Sequence, residues 1–111
     1  MFKIVKGGAR TFKAEVKFRM PNDSGTTDTM SFMAKFQMLT TDELQAAEEM
    51  RPIDFVRKVL VGWEGIQDGA GQDLPFSDDN KDAVLQEPIV VFNMARTYHD
   101  TVKKGLPQAK N

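Results

Sequence analysis

The sequence predicts an α+β fold: an N-terminal antiparallel β-hairpin packed against about four α-helices. Three observations carry that reading. Phe12–Met20 and Met30–Met38 alternate apolar and polar residues with period two. From Thr40 onward the apolar residues instead recur at helical spacing. Thr40, Pro52, Ser77 and Pro88 then stand at the points where four successive helices would start.

In the first stretch Phe12, Ala14, Val16, Phe18 and Met20 point one way, and Lys13, Glu15, Lys17 and Arg19 the other. One charged face and one apolar face describe a half-buried strand. Pro21-Asn22-Asp23-Ser24-Gly25 breaks it with turn residues. The second stretch turns Met30, Phe32, Ala34, Phe36 and Met38 inward. Thr29, Ser31, Lys35 and Gln37 face outward, and Met33 is the apolar exception among them. An antiparallel hairpin connected by Pro21 to Asp28 is the simplest pairing. Phe2-Lys3-Ile4-Val5 is available as a short third strand, turned at Gly7-Gly8.

Thr40-Thr41-Asp42-Glu43 is a capping box, so a helix is expected from Thr40 to about Met50. Pro52 lacks an amide hydrogen and suits the first position of a second helix. On that helix Ile53, Phe55, Val56, Val59, Leu60 and Trp63 fall within an arc about 160° wide at 100° per residue. Such a wide stripe makes it the central core helix, with Trp63 as its terminal structural anchor. Gly62, Gly65, Gly69 and Gly71 follow as turns, and Leu74-Pro75-Phe76 as an extended plug returning to the core. Ser77 caps a third helix, with Asp78 and Asp79 suited to the positive end of its dipole. Pro88 opens a fourth helix running to about Lys104, with Val91, Met94, Ala95, Tyr98 and Val102 on one face. Ile89 and Phe92 lie off that stripe and either pack on the third helix or stay exposed. Residues 1–104 are thus expected as one domain and 105–111 as a flexible tail.

Length and composition narrow the function. At 111 residues the chain holds one domain, large enough for a core without staples. It has no cysteine, hence no disulfide or thiolate metal site, which is compatible with a reducing cytosol. Fifteen basic against sixteen acidic residues give no field to attract a phosphate backbone, so nucleic acid is not an expected partner. No run is long and apolar enough for a membrane span or a signal peptide, and the chain reads as cytoplasmic. His99, the single histidine, sits between Arg96 and Lys103 and reads as solvated. Asp68–Asp73 fails as a calcium loop, because the third position is Ala70 and the twelfth Asp79. Gly7-Gly8 lacks the lysine and hydroxyl of a phosphate loop. Asp78, Asp79 and Asp82 fit a solvated first helical turn, and no nucleophile stands with a base. No enzyme, cofactor or metal is expected from this inventory.

Several pieces together resemble the tail assembly chaperones of long-tailed bacteriophages. They are the charged strand Phe12–Met20, the acidic helix start Thr40–Glu43 and the Phe55–Trp63 helix. Trp63-Glu64-Gly65-Ile66-Gln67-Asp68, Leu74-Pro75-Phe76-Ser77 and the closing helix to Tyr98 complete the set. The resemblance implies an α+β protein of the host-cell cytoplasm, made during infection. Such a protein binds the phage tape-measure protein, keeps it soluble and helps recruit tail-tube protein subunits around it. It implies no cofactor and is compatible with homo-oligomers. The family offers no fixed binding signature to carry over, so the partner-binding candidates come from this chain: Met33, Ile89 and Phe92, apolar residues off the core side of their elements. The alternative is a permanent structural component, a minor tail or head–tail joining protein docking through its hairpin.

Overall fold

The computed structural model describes residues 1–4, 6–7 and 10–107. Its elements are β1 (Thr11–Pro21), β2 (Thr27–Gln37), α1 (Thr41–Ala47), α2 (Pro52–Val59), β3 (Leu60–Glu64), α3 (Asp78–Leu85) and α4 (Pro88–Lys103). The strands form one antiparallel sheet in the order β1-β2-β3. α4 packs on β1, α2 packs against α4, and α3 contacts both helices. This is the expected α+β architecture of hairpin and four helices.

Alternation places the hairpin as the sequence predicts. Phe12 pairs with Phe36, Ala14 with Ala34 and Val16 with Phe32 on the inner face. The connection is shorter than expected, because the Asn22 side chain organises it. Its Oδ1 accepts from the amides of Ser24 (3.0 Å) and Thr26 (3.1 Å), and Gly25 takes a φ of +77°. Pairing therefore extends to Pro21 and Thr27. Met30 and Met38, expected inside, are 43% and 36% exposed, at the two ends of the apolar row.

The third strand is not Phe2–Val5. Phe2, Lys3 and Ile4 have no strand structure, and Val5 and Gly8 lie outside the described residues. The strand comes instead from Leu60–Glu64, inside the expected second helix. α2 ends at Val59, and Leu60 is already extended at ψ 117°. A short apolar run can serve a buried strand or a helix, and here the free edge of β2 decides the outcome. Met33 pairs with Glu64 and Ala34 with Trp63, and a bulge at Val61 lets Phe36 meet Leu60. Lys81 of α3 secures the switch by donating to the carbonyls of Arg57 (2.7 Å) and Leu60 (2.9 Å), left open where α2 stops. Burial holds the Lys81 ammonium below its usual pKa, and neighbouring Arg57 adds to that.

Trp63 is correspondingly not the end of a helix. It is half-buried on β3, and its Nε1 donates to the Leu74 carbonyl at 2.7 Å. Its ring meets Phe76 edge-on at 4.8 Å, so it anchors the 65–76 loop to the sheet. Within that loop Asp68 Oδ1 accepts from the amides of Ala70 (2.8 Å) and Gln72 (3.0 Å), which makes the segment an Asx-type turn.

The core lies between the sheet and α2 and α4, with Tyr98 at its centre. Ring centroids of Phe12, Phe36 and Phe55 stand 5.4, 5.4 and 5.1 Å from the Tyr98 ring. The Tyr98 hydroxyl accepts from the Leu39 amide (3.0 Å) and donates to the Gln37 carbonyl (3.1 Å), so both bonds fall where β2 gives way to α1. Burial raises the pKa of this phenol. Tyr98→Phe keeps the ring but leaves the buried Leu39 amide unpaired. A loss of about 1–3 kcal/mol is expected in denaturant unfolding, read as a lower midpoint at constant slope.

Candidate functional site: an apolar groove along α4

The start of α1 is set by its capping box. Thr40 Oγ1 accepts from the Glu43 amide (3.2 Å), and Glu43 Oε1 accepts from the Thr40 amide (3.0 Å). Its other carboxylate oxygen lies 3.4 Å from Lys58 of α2, tying the two helices together. The Thr40 amide, more than any other partner, holds the Glu43 carboxyl below its ordinary pKa. α1 stops at Ala47, a turn earlier than Met50, because Pro52 requires an extended residue before it. Arg51 supplies that conformation (φ −65°, ψ 150°) and pairs with Asp54 at 2.8 Å. Glu48 to Met50 therefore bridge α1 and α2 as turns.

This early stop leaves a groove of about 710 Å³ between α1, the start of α2 and the C-terminal half of α4. Leu44, Ala47, Pro52, Phe55, Ala95, Val102 and Leu106 line it, and Glu48 and Lys103 stand among them as its charged groups. His99 stacks on Phe55 in its wall, with centroids 4.8 Å apart and planes 14° apart. A second hollow of about 270 Å³, lined by Ile53, Leu85, Pro88, Val91 and Phe92, adjoins it. Pro52 lines both hollows. Phe92, Ala95, His99 and Val102 mark the shared side of α4 at i, i+3, i+7 and i+10, and Leu106 continues the row. That spacing is one face of α4, and it runs about 15 Å along the two hollows.

The three predicted contact residues part company here. Phe92 is 60% exposed and lines the second hollow. Ile89 is half-buried and lines neither hollow. Met33 is half-buried on β2, paired with Glu15 on one side and Glu64 on the other. It lines a separate hollow of about 250 Å³ beside Trp63 and Phe76. Sequence reasoning missed Leu44, Ala47, Pro52 and Leu106, because they come together only when α1 halts before α2. The readable signal was Ala95 and Val102, which extend the apolar row of α4 further than one neighbouring helix can cover.

The lining of the groove is mainly apolar. Apart from Tyr98, no polar or charged residue is buried among the described residues. The ion pairs found there, including Lys13–Glu64, Arg57–Asp82 and Arg96–Asp100, all lie at the surface. No three acidic or histidine side chains converge on a metal-sized site among the described residues, and no helix there is long and apolar enough to cross a membrane. Comparison with protein-family models, curated proteins and solved structures finds no match for the chain.

The Glu43 carboxyl is held low in the folded state. Its contribution is present above the unfolded pKa and lost as pH falls through the folded one. Glu43→Gln should therefore be destabilising near neutrality, with the gap to the parent protein narrowing as the pH falls through and below the ordinary glutamate range. Urea unfolding at several pH values measures it; a gap that stays constant would remove the carboxylate from the support of α1.

Proposed function

We propose that the protein is a non-enzymatic tail assembly chaperone of long-tailed bacteriophages. On this reading it holds a helical segment of the tape-measure protein in the groove along α4, within the infected cell, and helps recruit tail-tube subunits. The observation that supports it best is the groove itself: two adjoining apolar hollows, joined at Pro52, along one side of a helix. Amphipathic helices dock in such troughs through anchors at i, i+3, i+4 and i+7. A tape-measure chain is long, helical and apolar along one face, so it aggregates before the tube encloses it. A small domain that masks such faces reversibly lowers the concentration of free sticky segments. The sequence resemblance supports a tape-measure partner, and the groove supports a helical segment as the part that is held.

Co-expression with tape-measure fragments tests the proposal. Phe92→Asp and Leu106→Asp alter exposed groove residues, 60% and 55% accessible, and should leave the thermal midpoint unchanged. Each should reduce the soluble, co-purifying fragment at least tenfold, whereas Met33→Lys, outside the groove, should not. Unaltered co-purification in both groove variants would overturn the proposed contact. Mass spectrometry of mature virions separates the chaperone from a permanent minor tail or head–tail joining subunit. The chaperone is absent from finished particles, and the structural subunit is retained.

A further inference from the structure

The open edge of β2 points to a second interaction surface, independent of the groove. β1 pairs with β2 from Thr27 to Gln37, but β3 pairs with it only from Met33 to Phe36. Gly65, at φ +88° and packed on Phe32, turns the chain away from the sheet. Residues 27–31 are all exposed and have a strand neighbour on one side only among the described residues.

The hydrogen-bond phase shows which groups face the gap. Met38 donates to the Arg10 carbonyl (2.6 Å) and Asn22 to the Thr26 carbonyl (3.1 Å). In an antiparallel ladder the bonded pairs alternate, so the even-numbered residues of β2 bond to β1. Thr27, Thr29 and Ser31 therefore direct their N–H and C=O groups away from β1, into the open edge. Natural sheets guard such edges with charge, and β1 does so with Lys13, Glu15, Lys17 and Arg19. The outward side chains of the open β2 edge carry hydroxyls and no charge.

We propose that this edge accepts an extended segment of a partner protein as an added strand, about five residues long, with carboxylates on its outward side. Charge sets that preference. Arg19 and Lys17 stand directly opposite Thr29 and Ser31 on the outer face, and Arg19 has no ion-pair partner among the described residues. An added strand lies two strand spacings from β1, about 9.6 Å. Arginine and glutamate side chains together span that distance over the short Thr29 and Ser31. A second copy of the chain fits less well. Pairing Thr29 with its own mate drives Thr26 of one copy into Gly65 of the other. Sliding by one step sets Asp28 against Asp28, a like-charge pair across the strands.

The test uses the full chain and a seven-residue peptide alternating glutamate and valine, with a lysine-for-glutamate peptide as control. In the free protein, residue-resolved hydrogen exchange should be at least tenfold faster at Thr29 and Ser31 than at Met30 and Phe32. The glutamate peptide should slow exchange at Thr29 and Ser31 and bind at least tenfold more tightly than the lysine peptide. Thr29→Pro removes an outward N–H and no bond to β1, so it should weaken binding at least tenfold. Arg19→Glu, which leaves the backbone untouched, should reverse the preference between the peptides. Equal protection at odd and even positions of the free protein would show the edge already covered and overturn the proposal. So would equal binding of both peptides, or protection that grows with protein concentration alone and marks a self-paired edge.

Discussion

Tyr98 hydrogen-bonds across the point where the chain leaves β2 for α1, giving its proton to Gln37 and taking one from Leu39. The same ring is flanked by Phe12 and Phe36 of the sheet and Phe55 of α2. One residue of α4 thus fixes the height of the sheet, the exit direction of β2 and the seat of α2. The groove depends on all three. Its α4 wall is fixed by Tyr98, its α2 wall by Phe55, and its α1 wall by the turn that Leu39 begins. With the phenol nearly inaccessible, alternative arrangements of the three walls would leave a buried donor or acceptor without a partner.

The faces of the molecule differ in kind. Along the α4 groove the surface is mainly apolar and recessed, with Glu48 and Lys103 as its charged groups. Across the sheet the outer face is charged, with Lys13 directly opposite Lys35 and relieved by Glu64 at 3.2 Å. These exposed pairs contribute little to stability, about 0–1 kcal/mol each. Their greater effect is on which surfaces can approach: charge keeps the β1 edge from indiscriminate strand pairing, while the recess favours an apolar helix.

Local chemistry made much of this legible in the sequence. The strands of the hairpin follow from alternation, α1 from the Thr40 box, α3 from Ser77 and α4 from Pro88, and the structure contains each. What failed was non-local. Leu60-Val61-Gly62-Trp63 suits either a helical arc or a strand, and the deciding partner, Met33–Phe36, lies about thirty residues away. Met33 looked like a lone exposed hydrophobe until β3 came alongside it. Phe92 was recognisable because a phenylalanine off the stripe of a helix has no local partner. The remaining groove residues were invisible because Ala47, Pro52 and Leu106 are ordinary residues in separate elements, and nothing in their own neighbourhoods marks them as one wall.

The order of the elements has a consequence for synthesis on the ribosome. All three strands are complete at Glu64, but the helix that covers β1 does not begin until Pro88, and its central ring is Tyr98. At roughly 5–20 residues per second, the 34 residues from Glu64 to Tyr98 take about 2–7 seconds to make. A hairpin closes in microseconds, so β1 and β2 can pair well before their lid is available. Until then Phe12, Val16, Phe32 and Phe36 are uncovered. The growing chain therefore passes through a stage in which the apolar face of its own sheet is adhesive, and the speed with which α4 arrives becomes a condition of its yield.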